Sequence, residues 1–158
     1  MKDEPPHISA DVLDSISADT AWILLWVRRP DLRPSVEVLK TFAGRVESWK
    51  RVLEIAHQND LGQLLASNLR GMASDEIGVP TWVAQELDQR RQVCLARSAQ
   101  VVFHLAPILK DLDQEGVPTM VLKGALLAET LYPDPGARSF FDVDLLVAPE
   151  YFPGAYRN

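Results

Sequence analysis

The sequence predicts an α+β fold that is mostly helical, with its strands confined to the end of the chain. Three observations carry this. Apolar residues step by three and four through most of the first 116 positions, the spacing that puts side chains on one helical face. Short β-branched and apolar runs with strand character come only afterwards, at Val117–Leu122 and Asp142–Val147. Between those runs stands Tyr132-Pro-Asp-Pro-Gly136, whose two prolines and glycine force a loop. Residues 1–7 are then a flexible tail, 8–116 a helical module and 117–158 a strand-bearing segment.

Taken in order, Met1–His7 is charged and proline-bearing, unlike a signal peptide. Ser9 or Ser17 can cap the first helix, which carries Ala21–Val27 and stops before Pro30. Trp22 and Trp26 are four apart and share a face, which reads as aromatic packing between helices. Asp31–Pro34 is a turn. Ser35 starts a helix through Val36, Leu39 and Phe42 to Gly44. A further helix spans Val46–Gln58, with Trp49, Val52, Leu53 and Ala56 as its stripe. Leu61–Leu69 is helical again, and Gly71–Gly78 reads as a loop. Pro80-Thr81 opens the longest helical segment, which reaches Glu115 and should be kinked or divided at Pro107. Gln89–Gln92 reads as a solvated face, and Gly116 hands the chain to the first strand.

The 158 residues suffice for one domain with a core, or for a domain and part of another. Sixteen basic against 22 acidic residues give a net charge of −6, so the chain has no global attraction for nucleic acid. A small nucleotide or a protein acceptor suits that charge better. The single cysteine, Cys94, excludes an internal disulfide and reads as a core residue, in keeping with a cytoplasmic location. The apolar run Ala21–Val27 is far too short to span a membrane, and no membrane partner is expected. His7, His57 and His104 show no zinc spacing.

The chemistry concentrates in Val117–Val147. Strand periodicity of two puts Asp142 and Asp144 on one face and turns Val143 into a core. The run Leu145–Val147 predicts a strand covered on both faces beyond the acids. Two carboxylates on a rigid strand can hold Mg²⁺ or Mn²⁺, which prefer oxygen ligands and leave room for substrate phosphates. Gly124 would let a phosphate approach the backbone where a helix begins, and Lys123 and Arg138 would add positive charge beside it. The plain alternative is an exposed edge strand and an ordinary turn.

The stretch LKGALLAETLYPDPGARSFFDVDLLV resembles the core of the bacterial uncharacterised nucleotidyltransferase family, within the polymerase-beta-like superfamily. Lys123-Gly124-Ala125 matches the family's glycine turn, Arg138 an arginine shortly before the acids, and Asp142 and Asp144 the metal-binding pair. Weaker helical likeness around Trp49 and Ala56-His57 extends this over most of the chain. The resemblance makes 117–158 a partial nucleotidyltransferase core. It implies metal-dependent transfer of a nucleoside monophosphate from a nucleoside triphosphate to an acceptor that the residues do not identify. Catalytic and metal roles fall to Asp142 and Asp144, and phosphate binding to Lys123, Gly124, Ala125 and Arg138. Two departures stand out. Ala125 replaces the serine or second glycine of many superfamily members. The chain also stops at Asn158, before the third carboxylate such enzymes carry on a later strand, and Glu150 is the one acid after the pair. The alternative expectation is therefore a truncated, non-catalytic helical interaction protein or an antitoxin-like regulator. Two strands alone make a poor sheet, so self-association through an exposed strand edge is expected as well.

Overall fold

The computed structural model describes residues 10–28, 32–132 and 134–152. The predicted tail over 1–7, the Ser9 cap and the last six residues lie outside that set. The chain forms eight helices among the described residues, followed late by a two-stranded antiparallel sheet, and is α+β. It divides into two compact units, Met1–Arg91 and Gln92–Asn158.

The first unit is built around one short apolar helix. The predicted first helix is in fact two, α1 (Ala10–Ser15) and α2 (Ala18–Trp26). Ser17 separates them by capping α2, its hydroxyl accepting from the Thr20 amide at 3.3 Å. Helix α2 packs against α1, α3 (Val36–Ala43), α4 (Trp49–Gln58) and α5 (Gly62–Leu69). Trp22 and Trp26 are fully buried, with ring centroids 5.9 Å apart. Trp49 meets Trp22 edge-on at 5.1 Å, so the aromatic-packing reading holds. Leu39, Val52, Ala56, Leu65, Leu69, Val83 and Leu87 complete the core.

Buried polar groups tie this unit together. Asp19 is almost fully buried, and its Oδ1 accepts from the Glu47 and Ser48 amides at 2.9 and 3.3 Å. It thus fixes the backbone just ahead of α4, which is capped by the Ser48 hydroxyl accepting from the Arg51 amide at 3.3 Å and starts at Trp49 rather than Val46. Asn68 donates to the Trp26 carbonyl at 2.6 Å and receives hydrogen bonds from Arg33 at both its carbonyl and its side-chain oxygen. Burial holds the Arg33 guanidinium below its ordinary pKa.

Two further readings of this unit are corrected. The stretch read as a loop, Gly71–Gly78, contains helix α6 (Ser74–Ile77), which buries Ile77. The Gln89–Gln92 face is not wholly solvated. Arg91 is buried and paired with Asp88 at 2.9 Å. Arg90 bridges Glu86 and the His57 Nδ1 atom at 3.1 and 2.7 Å.

Helix α7 (Thr81–Gln114) begins in the first unit and ends in the second. It runs through Pro107 without a break. Proline removes the hydrogen bond to the carbonyl four residues back, that of Phe103, and Phe103 is 75% exposed, so water can satisfy that oxygen. By length and composition alone α7 could cross a bilayer, unlike the short apolar run Ala21–Val27.

The helix ends in a Schellman turn. The Val117 amide donates to the Leu112 carbonyl and the Gly116 amide to that of Asp113. Gly116 supplies the left-handed φ of +68° this turn requires. The turn consumes the Val117 amide and Pro118 has none, so strand β1 starts at Thr119 (Thr119–Leu122) rather than Val117. Helix α8 (Lys123–Thr130) follows at once. A 3-10 turn at Pro135–Ala137 fills the predicted loop, and β2 (Asp144–Val147) pairs antiparallel with β1. The inner face of this sheet and α8 share a small cluster. Ala125, Ala128 and Phe140 are buried there, with Val101, Val121 and Val143 against them, and Val143 points inward as predicted. The other face is not covered as expected. Met120 and Leu146 are cross-strand partners, 57% and 53% exposed, and no described element packs over them.

Candidate nucleotidyltransferase site

The site sits where β1 passes into α8 and β2 runs back alongside. Register decides what meets. Leu122 is opposite Asp144, so the next residue, Lys123, falls beside that carboxylate. Its Nζ lies 3.1 Å from Asp144 Oδ2. Lys123 is 73% exposed and Asp144 40%, so the pair contributes at most about 1 kcal/mol to stability. The backbone at Lys123 is left-handed, with φ of +52°. An L-residue there costs roughly 1–2 kcal/mol. Strain of this kind persists where the surroundings enforce it, and such positions concentrate at ligand sites.

Gly124 has a packing duty that the sequence did not reveal. A Cβ there would stand 2.7 Å from the Cβ of Phe140, closer than real side chains come. The missing side chain therefore lets the Phe140 segment, just ahead of the acids, close onto the start of α8. The methyl of Ala125 is buried in the same cluster, which leaves its backbone N–H as the group that can face a phosphate. Leu122 precedes α8 without a side-chain cap, so the first amides of this helix keep their donor capacity.

Arg138 and Asp142 stand differently. The Arg138 guanidinium lies over the Tyr132 ring, 5.8 Å from its centroid, and Nη1 donates to the Tyr132 hydroxyl at 3.5 Å. Its Nε is buried without a partner among the described residues. The loop presenting it is held by Asp134, a buried carboxylate that accepts from the Gly136 amide at 2.9 Å. Asp142 is exposed and precedes β2, which begins at Asp144 rather than at Asp142 as predicted. Glu150 is exposed in a 3-10 turn at Pro149–Tyr151. Of the predicted residues, then, Lys123 and Asp144 are in direct contact, while Gly124 and Ala125 bring α8 against the approach to the acids.

The sequence model of a family described as an uncharacterised nucleotidyltransferase matches residues 46–156, more than half of the chain. The chain belongs to that nucleotidyltransferase family. No curated protein matches it, and no solved structure does. The match runs from just before α4 to beyond β2, so the family's extent includes helices of the first unit as well as the strand–helix–strand segment. Membership makes the protein nucleotidyltransferase-like and implies a nucleoside triphosphate as substrate. What periodicity alone could not supply was the role of Phe140. The only trace of it in the sequence is an aromatic residue between the loop and the strand, with a glycine at the helix start sixteen positions earlier.

Proposed function

We propose that this protein binds a nucleoside triphosphate at the β1–α8 turn and transfers its nucleoside monophosphate to an acceptor, with Mg²⁺ or Mn²⁺ held by Asp142 and Asp144. The observation that carries this is the Lys123–Asp144 contact at the start of α8, inside the stretch that the family's sequence model covers. The donor set fits a hard divalent cation. Both groups are carboxylates, and a cationic group already stands 3.1 Å from Asp144 Oδ2. When bound, the metal would neutralise charge developing on the transferring phosphoryl group. The chain's own groups do the rest. The first amides of α8 receive phosphate oxygens, Lys123 sets a positive charge beside them, and Arg138 supplies a donor from the loop. An acceptor oxygen attacks the α-phosphorus, the bond to the bridging oxygen breaks, and pyrophosphate leaves. These residues orient the phosphates for that displacement.

Calorimetric titration with ATP and Mg²⁺ tests the reading. Binding heat in the wild type and none in the Asp142→Asn/Asp144→Asn double variant, with both folded, is the expected result. Equal heats in the two proteins would remove the acids from the site. A second reading is a protein that keeps nucleotide binding without turnover. Among the described residues no group of three or more acidic, histidine or cysteine side chains converges. Nucleotide binding without pyrophosphate release in the presence of candidate acceptors would select it. The reading also extends to a cytoplasmic protein that self-associates through its sheet. Each strand has one edge unpaired among the described residues, and sedimentation velocity over a concentration series measures the association.

A further inference from the structure

We infer that Lys123 is the resident counter-ion of Asp144 and exchanges with the divalent cation. In the metal-free protein its ammonium holds Oδ2; when the metal binds, the ammonium is released to the nucleotide's phosphates. This rests on the site proposed above and adds an order of events to it. Three observations carry it. The Nζ–Oδ2 distance is 3.1 Å, so the ammonium occupies space that a cation bound to that oxygen needs. Lys123 is the residue on which the left-handed turn between β1 and α8 falls, with φ of +52°, so its stem is held at the helix start by the backbone. Its side chain is 73% exposed, which leaves the ammonium room to swing without disturbing the core.

The charges require competition. A lysine ammonium and a divalent cation beside one carboxylate repel each other, and both lose affinity if both remain. Once phosphates are present, the displaced ammonium gains a partner of higher charge than the carboxylate it left. The lysine therefore opposes metal binding in the absence of nucleotide and favours the metal–nucleotide complex. It makes the site loadable as a pair rather than piecemeal.

The test measures Mn²⁺ binding by the loss of the free-ion electron paramagnetic resonance signal, without nucleotide and then with ATP. Wild type is compared with Lys123→Met, Lys123→Gly and Asp144→Asn. Glycine takes the left-handed φ freely, so Lys123→Gly keeps the turn if methionine strains it. Both lysine variants should bind Mn²⁺ alone at least about threefold more tightly than wild type, and Mn²⁺ with ATP more weakly. Unchanged or weakened binding of Mn²⁺ alone in both, with Asp144→Asn abolishing it, would overturn the exchange and leave the site standing. No Mn²⁺ bound by folded wild type, with or without ATP, would overturn the site and the exchange together.

Discussion

The two units handle their apolar residues in opposite ways. The first buries Trp22, Trp26, Ile23, Leu39 and Leu65 almost completely around α2. The second has a buried cluster of three residues, two of them alanines, while Phe103, Met120, Leu131, Phe141 and Leu146 stand open to solvent. The contrast is one of layers. Helices α1, α3, α4 and α5 surround α2, whereas the two-stranded sheet has elements on one face among the described residues. Stability then resides mainly in the first unit and the candidate chemistry in the second. That division puts a polar, strained site on the part of the chain least anchored by burial.

The contrast can be broken by substitution, with the largest effect in the first unit. Trp22→Ala should cost about 3–5 kcal/mol, by the loss of a fully buried indole and the cavity it leaves, measured as the fall in urea midpoint. All four tryptophans lie before residue 92, so intrinsic fluorescence reads that unit selectively. Asp19→Ala comes next, at about 2 kcal/mol, because two amides at the start of α4 lose a charged acceptor in a buried place. Gly124→Ala should cost about 1–2 kcal/mol by forcing its methyl against Phe140. Hydrogen exchange should locate that loss in α8 and β2, with tryptophan fluorescence unmoved. Met120→Thr and Leu146→Thr should stay within about 0.5 kcal/mol, since both side chains are already exposed. A cost above about 1 kcal/mol at either position would show that the outer face of the sheet is covered in solution and would erase the contrast.

Most of the fold was legible because helical periodicity is a local signal. The stripes through Leu39, Val52 and Leu65 are core in the structure, whereas of the buried stripe expected in the long helix at Val102, Leu105, Leu109 and Leu112 only Leu112 is buried, Val102 being exposed. The errors arose where a local rule met a distant partner. The Val46 start failed because Asp19, on another helix, holds the Glu47 and Ser48 amides ahead of the Ser48 cap, so the helix begins only at Trp49. The break at Pro107 failed because an exposed turn can leave one carbonyl to water. At the site, residue types and order were legible, but the Lys123–Asp144 contact depends on strand register and the Gly124–Phe140 approach on a loop's return path. Neither is encoded within a few residues of itself.

The register of the small sheet has a consequence for misfolding. A slip of one residue would set Leu122 opposite Val143 or Leu145 instead of Asp144. Every side chain of β2 would then change faces, carrying the Asp144 carboxylate toward Phe140 and Ala125 and turning Val143 out to water. A charge buried there without a partner would cost several kcal/mol. With four residues per strand and no long turn chemistry to align them, the acid proofreads the pairing. The same side chain that would receive the substrate's cation also penalises the sheet for closing one step out of place.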